Sequence, residues 1–206
     1  ADITFKRTYV LAVDSGSFSL TGYDITFERT YPLIAESGSF SLTGTPVTFR
    51  RTYILSVDSG SFTLTGENVS LAKGYELLAG TGNFTLIGTD VTFEITRKII
   101  LNSGIYNLTG TDTTLTAQFH YTLSLEAGIY SLTGTNAGLT SARTMALEAG
   151  TYALTGTNAN LYRALVMACN AGSYTLTGTD ASLTSHRIFA LGVGSYILVG
   201  TACGLF

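Results

Sequence analysis

Charged side chains, prolines, cysteines and tryptophans are all scarce in this sequence. Charged residues make up 12% of the chain and the formal net charge is −3, whereas ordinary domains carry roughly 25% charged residues. The sequence therefore lacks the basic surface that binds nucleic acid and the polybasic segment that binds a membrane, and we expect neither partner. No apolar run approaches the ~20 residues of a membrane-spanning helix.

The few prolines and cysteines bear on domain organisation. With two prolines and no block of charge, no linker divides the chain, and we predict a single repeat domain over residues 1–206. Cys169 and Cys203 occupy different phases of the repeat described below. We therefore interpret both as small core or surface residues rather than as a disulfide.

Residues for catalysis or metal binding are equally sparse. The two histidines, His120 and His186, have no repeated acid or cysteine beside them. No Ser-His-Asp set, HExxH motif, phosphate-binding loop or pair of carboxylates can be assembled. We predict no enzyme activity, no cofactor and no catalytic, cofactor-binding or metal-binding residues.

What the sequence does contain is one motif, Gly-Ser-Phe-Thr-Leu-Thr-Gly at Gly60–Gly66, in nine versions. The spacing is 22 residues, apart from one step of 24. The closing glycines are Gly22, Gly44, Gly66, Gly88, Gly110, Gly134, Gly156, Gly178 and Gly200. A fixed period of this length indicates a repeat architecture.

One unit, Thr45–Gly66, shows how the repeat folds. Aromatic and β-branched residues alternate with Ser and Thr, which predicts strands. The residues Val47, Phe49, Tyr53, Leu55 and Val57 share one parity. Turn signals fall at Asp58–Gly60 and Gly66–Asn68, where glycine tolerates a positive φ, and a softer break falls near Arg51. Three short strands with three corners predict one turn of a three-faced β-solenoid.

Two columns of equivalent residues predict the core. One runs Phe18, Phe40, Phe62, Phe84, Tyr106, Tyr130, Tyr152, Tyr174, Tyr196. The other is leucine throughout: Leu20, Leu42, Leu64, Leu86, Leu108, Leu132, Leu154, Leu176, Leu198. Stacked turns would bring each column together inside the solenoid.

A column of basic residues supports a rival fold. Arg7, Arg29, Arg51 and Lys73 are equivalent in four successive units. Unit charges 4.8 Å apart repel by roughly 0.9 kcal/mol in water, which is tolerable at a corner and not in a core. An antiparallel meander or barrel of nine hairpins would space the repeats farther apart. It remains the alternative to the solenoid.

Three further features have simple interpretations. The corner Asx residues suit tight turns; a calcium ladder built from Asp90, Asp112 and Asp180 is the alternative, interrupted by Asn and Pro. The outward Ser and Thr residues form a solvated surface, because isoleucines interrupt the regular array that ice binding requires. The two-residue insertion around Gln118–His120 predicts a bulge or a longer corner.

The two ends of the chain have the same phase of the repeat. Residues 1–5 correspond to residues 201–205, and neither end carries a polar cap. Solenoids ordinarily need covered ends. We therefore expect the ends to stack on another copy, to close into a ring or to be covered by another protein.

The units also resemble a known repeat. Residues 172–183 read GSYTLTGTDASL and residues 148–156 read EAGTYALTG. These resemble the GSYxLTGxxAxL repeats in structural proteins of tailed bacteriophages, and the resemblance covers the whole chain. It implies a fibre, spike or decoration component located in a virion or outside the cell, and it transfers no catalytic residue.

Three functions are thus compared. The first is a non-enzymatic structural component of a virion or similar extracellular assembly. The second is an adhesin module that binds a surface or glycan through its Tyr and Ser/Thr faces. The third is a solenoid lyase or hydrolase, for which no cluster of charged residues can be built.

Overall fold

The computed structural model describes residues 1–117, 122–141, 144–163, 166–185 and 188–205. In these ranges the chain is all-β, with parallel strands wound into a β-solenoid of about eight turns. Each turn contributes a strand to each of three faces, and each strand pairs with its equivalent in the next turn. The solenoid prediction is confirmed.

Face 1 consists of strands that follow the closing glycine of each unit. They are Ile3–Phe5, Ile25–Phe27, Pro46–Phe49, Asn68–Ala79, Asp90–Leu101, Asp112–Ala117, Asn136–Ser141, Asn158–Arg163, Asp180–Ser185 and Ala202–Leu205. Two of these, Asn68–Ala79 and Asp90–Leu101, continue without interruption into face 2.

Faces 2 and 3 complete each turn. The other strands of face 2 are Leu11–Val13, Thr30–Ala35, Thr52–Val57, Thr122–Leu125, Thr144–Leu147, Val166–Cys169 and Ile188–Leu191. Those of face 3 are Ser17–Thr21, Ser39–Thr43, Ser61–Thr65, Asn83–Ile87, Ile105–Thr109, Ile129–Thr133, Thr151–Thr155, Ser173–Thr177 and Ser195–Val199.

The register of face 3 follows the repeat. Phe40 pairs with Phe62, and Phe62 pairs with Phe84, in the nine-stranded sheet whose order follows the chain. All of these pairings are parallel, so the alternative of antiparallel hairpins is wrong. The basic residues that favoured it lie where repulsion is tolerable: Arg7, Arg29 and Arg51 are exposed at the corner between faces 1 and 2. The Lys73 side chain is outside the described residues.

At the same corner, the tyrosines equivalent to Tyr53 in the first two turns point outward. Tyr9 is 69% exposed and Tyr31 is 37% exposed, while Thr30 at 0% and Thr52 at 5% are buried. The bend after the arginine thus turns threonine inward and tyrosine outward. The Tyr53 side chain, which the alternation placed with Leu55 and Val57, lies outside the described side chains.

The core consists of stacked columns, as the Phe/Tyr and Leu columns predicted. Phe62 and Leu64 are fully buried. The ring centroids of Phe27 and Phe49 on face 1 lie 4.5 Å apart with an interplanar angle of 1°. The ring of Phe62 also meets Phe49 across the interior at 6.5 Å. The side chains of faces 1 and 3 therefore pack against each other as well as along the axis.

The corner glycines are required by the stacking of turns. A Cβ atom on Gly60 would overlap the carbonyl oxygen of Gly38 in the preceding turn, and one on Gly88 would lie 2.6 Å from the carbonyl oxygen of Gly66. No glycine whose surroundings the structure describes has a positive φ. The predicted reason for these glycines, a left-handed backbone, is therefore wrong, and close approach of neighbouring backbones replaces it.

The two-residue insertion lies at the corner between faces 1 and 2. Ala117 pairs with Ser141, whereas Thr122 pairs with Thr144, so the additional residues fall between Ala117 and Thr122. This agrees with the predicted position. The segment Gln118–His120 itself is outside the described residues.

Candidate functional site: face 2 and its charged edges

The outer surface of face 2 is mostly apolar in the first three turns. Leu33 and Ala35 point into the core, so Ile34 between them points outward. Val10 is 60% exposed and Ile54 is 38% exposed. We call this surface the face 2 exterior; it consists of Val10, Ala12, Pro32, Ile34, Ile54 and one polar residue, Ser56.

A row of basic side chains lies along one edge of this surface. It consists of the exposed residues Arg7, Arg29 and Arg51, which we call the basic ladder. The backbone N–H of Thr8 donates to the carbonyl oxygen of Arg29 at 2.8 Å, and that of Thr30 donates to the carbonyl oxygen of Arg51 at 2.9 Å. These hydrogen bonds keep the three arginines in adjacent turns.

A row of acidic side chains lies along the opposite edge. It consists of the exposed residues Asp14, Glu36 and Asp58, each directly after a face 2 strand, and we call it the acidic ladder. The N–H of Glu36 donates to the carbonyl oxygen of Val13 at 3.1 Å, and that of Asp58 donates to Ala35 at 2.9 Å. Within the described part of the chain, neither ladder forms a salt bridge.

Two exposed tyrosines stand beside the basic ladder. The ring centroids of Tyr9 and Tyr31 are 5.7 Å apart and their planes differ by 6°. Aromatic rings beside guanidinium groups suit the binding of anionic or sugar-like molecules. The arrangement therefore offers a polar binding strip at the corner between faces 1 and 2.

The interior of this part of the solenoid contains polar atoms without partners. The buried hydroxyl oxygens (Oγ1) of Thr8, Thr30 and Thr52 have no hydrogen-bond partner. An unsatisfied buried hydroxyl destabilises a fold. These hydroxyls form a column in adjacent turns, which the alternation pattern did not predict.

In the later turns, tyrosines take the place of the phenylalanines of face 3. The hydroxyl of Tyr130 donates to the carbonyl oxygens of Leu101 and Asn102 at 2.6 and 2.7 Å. Tyr152 makes the same contacts one turn later, with Leu125 and Glu126. Burial raises the pKa of both phenols, because the charged form would lose its hydration.

The interior of these later turns contains an apolar cavity of about 250 Å³, which is partly open and extends to Leu198 in the last described turn. The face 1 column that contributes Phe27, Phe49 and Phe93 earlier in the chain contributes leucines here, including Leu115 and Leu139. Each tyrosine ring is fixed at the corner by its hydroxyl, so nothing fills the volume that is released. Cys169, 1% exposed, lines the cavity, and burial raises the pKa of its thiol to about 12. The Cys203 side chain is outside the described residues.

The corner Asx residues form an amide ladder. The side-chain amide of Asn136 donates to a carboxylate oxygen of Asp112 at 2.5 Å, and that of Asn158 donates to Oδ1 of Asn136 at 2.7 Å. Asp90 and Asp112 are register partners, but Asp180 pairs with Asn158 and is separated from Asp112 by intervening turns. The candidate calcium ligands are therefore not brought together. The described residues contain no group of three His, Cys, Asp or Glu side chains placed to hold a metal ion.

The remaining predictions concern the outer surface of face 3 and the histidines. Ile87, Ile105 and Ile129 are 40–50% exposed among the outward Ser and Thr residues of face 3. His120 and His186 are outside the described residues. Across the ranges that the structure covers, no helix has the length and apolar character needed to cross a membrane.

Comparison with known proteins gave no relative. No family model, no curated protein and no solved structure matches the chain.

Proposed function

We propose that the protein is a non-enzymatic structural component of a virion or a similar extracellular assembly, of the tail, fibre or decoration type. The observation that carries this proposal is the unbroken register of the face 3 column from Phe18 to Tyr196. The whole described chain builds one rod, and its described polar contacts support the stacking of turns.

The geometry of the rod suits a structural element. About eight turns at about 4.8 Å per turn give a length of roughly 40 Å. Each turn contacts only its neighbours, so stability grows with the number of turns in the stack. The resemblance to GSYxLTGxxAxL repeats of phage structural proteins points to the same role.

The last described turn of the rod leaves side chains of the core columns exposed. Leu198 is 38% exposed and Leu191 is 49% exposed, whereas Leu64 and Cys169, which belong to the same two columns, are buried. A β-layer contributed by a second copy or another assembly protein would cover these side chains and extend the sheets of the rod. End-to-end association therefore belongs to the proposal.

The experiment is to locate the protein. Antibodies raised against the purified protein would be used in immunogold electron microscopy of particle and cell fractions from the source. Regular labelling of intact particles or extracellular filaments is expected. Labelling confined to the soluble contents of cells would contradict the proposal.

A second candidate is a glycan-binding adhesin module, which the stacked and exposed Tyr9 and Tyr31 beside the basic ladder favour. Glycan arrays probed with the purified protein and with a Tyr9→Ala/Tyr31→Ala variant test it. Binding that the substitutions abolish would support the adhesin. Absence of binding to every glycan would exclude it.

A further inference from the structure

The face 2 exterior has a charge pattern that repeats in three successive turns. In each turn an exposed arginine precedes the strand and an exposed acid follows it: Arg7 with Asp14, Arg29 with Glu36, and Arg51 with Asp58. Between them the outward residues are mostly apolar. Because all strands run in the same direction, one edge of the surface is basic and the other is acidic.

The other two faces differ from this surface. The outward residues of face 1 in the same turns are Thr4, Thr26 and Thr48, and those of face 3 are serines and threonines such as Ser19 and Ser41. Only the face 2 exterior combines an apolar centre with charged edges in these turns. Apolar surface between charged rims is the usual composition of a protein–protein interface.

The symmetry of this pattern determines which partner fits. Consider two copies packed face to face through their face 2 exteriors. A two-fold axis parallel to the rod axis reverses the strand direction and places the basic ladder of each copy opposite the acidic ladder of the other. A two-fold axis parallel to the strands keeps the strand direction and places the basic ladder of one copy opposite the basic ladder of the other. The pattern is therefore self-complementary for parallel rods only.

We propose that the protein forms a parallel, side-by-side homodimer through the face 2 exterior, with each basic ladder paired to the partner's acidic ladder. The proposal rests on the proposed structural role, because it specifies how copies associate laterally. The two-fold axis keeps equivalent turns at equal height, so all three charge pairs match on both edges. Exposed ion pairs contribute little individually. The apolar centre supplies affinity, and the ladders fix the orientation.

An anionic polymer fits this surface less well. The basic ladder alone would attract a polyanion, but the acidic ladder lies on the same face and the net charge of the chain is −3. A second copy satisfies both ladders at once, which a polyanion does not.

The test uses exchange of charges. One variant carries Arg7→Glu, Arg29→Glu and Arg51→Glu; the other carries Asp14→Lys, Glu36→Lys and Asp58→Lys. All six residues are exposed, and circular dichroism checks that both variants fold. Sedimentation equilibrium at low salt should show a dimer for the unchanged protein and at least a tenfold weaker dimer for each variant. An equimolar mixture of the two variants should regain dimerisation, because their edges are complementary.

A matched control adds acidic residues to another face. Thr21→Glu with Thr43→Glu changes two exposed positions of face 3 and should leave the dimer intact. If neither charge variant weakened the dimer, the proposed lateral interface would be wrong. That result would not affect end-to-end association, and the proposed function would stand. A protein that stays monomeric but binds heparin or single-stranded DNA would overturn the proposal in favour of a polyanion site.

Orientation is tested separately. Ile54 is exposed near the middle of its strand and would face its own equivalent across the two-fold axis. An Ile54→Cys variant, with Cys169→Ala and Cys203→Ala, should form cross-linked dimers with a short bismaleimide. An Ile197→Cys variant in the same background, exposed on face 3, should not. Cross-linking of the Ile197→Cys variant without cross-linking of the Ile54→Cys variant would contradict the parallel arrangement.

Discussion

The ring of Phe62 lies 5.0 Å from the ring of Phe40 in the preceding turn, and the two planes differ by 3°. The same distance separates Phe62 from Phe84 in the following turn. Residues that are 22 positions apart in the sequence are therefore direct neighbours in the core. This stacking recurs along the rod, from Phe18 with Phe40 to Tyr174 with Tyr196.

The corner glycines provide a sharp test of this stacking. Gly60→Ala should destabilise the protein severely, because its Cβ atom would overlap the backbone carbonyl of Gly38. Gly16 is the matched control: it occupies the equivalent corner two turns earlier, and a Cβ atom there meets nothing within 4 Å. Thermal unfolding of both variants checks the prediction. Equal effects of the two substitutions would show that the preceding turn does not lie against Gly60.

Thr30→Val should stabilise the protein. The Thr30 hydroxyl is buried without a hydrogen-bond partner, and valine keeps the shape of the side chain without that group. Relief of an unsatisfied buried polar group contributes about 1–2 kcal/mol. Urea unfolding measures the change, and Thr26→Val, on the outer surface of face 1, is the control. A loss of stability in Thr30→Val would mean that the hydroxyl has a partner.

Tyr130→Phe should destabilise the protein by about 1 kcal/mol, because the carbonyl oxygens of Leu101 and Asn102 lose the tyrosine hydroxyl as a donor and keep only their backbone donors. Phe62→Tyr, in an earlier turn of the same column, is the comparison. It adds a hydroxyl at a position where the unchanged protein has no such hydrogen bond. Denaturant unfolding compares the two variants with the unchanged protein. If Tyr130→Phe had no effect, the hydroxyl contacts would not contribute to stability.

Alkaline pH should unfold the protein. Burial raises the pKa of Tyr106, Tyr130 and Tyr152 above the value of about 10 for an unfolded tyrosine. The stability linked to these protonated phenols is therefore fully present below pH about 10 and decreases as the pH rises further. The ionisation of the buried tyrosines, followed by tyrosinate absorbance, should coincide with the loss of strand structure, followed by circular dichroism. Full ionisation of all tyrosines before any loss of strand structure would contradict this.

The period of the sequence predicted most of the fold. Phe40, Phe62 and Phe84 occupy the same position of successive repeats. A stack of parallel strands places such equivalent residues next to one another, so the period predicted that their rings stack. The alternation did not predict the outward direction of Tyr31, because alternation does not show at which residue a corner bends. Thr30 points inward there and Tyr31 points outward.

The candidate site was harder to predict. An arginine and an acid seven positions apart, as in Arg29 and Glu36, are visible in three units of the sequence, and this was the signal that would have found the two ladders. The sequence does not show, however, that a face 2 strand separates each arginine from its acid. It also does not show which residues of that strand point outward. The apolar cavity depends on side-chain volumes added across several faces, so no single column predicts it.

The most direct test of the central claim is the distance between equivalent residues of successive turns. Spin labels at Ser41 and Thr63, which are register partners on the outer surface of face 3, would be measured by electron paramagnetic resonance. The parallel stack predicts backbones about 4.8 Å apart and strong dipolar broadening that is absent in either single-label variant. Spectra of the double-label protein equal to the sum of the single-label spectra would contradict the account.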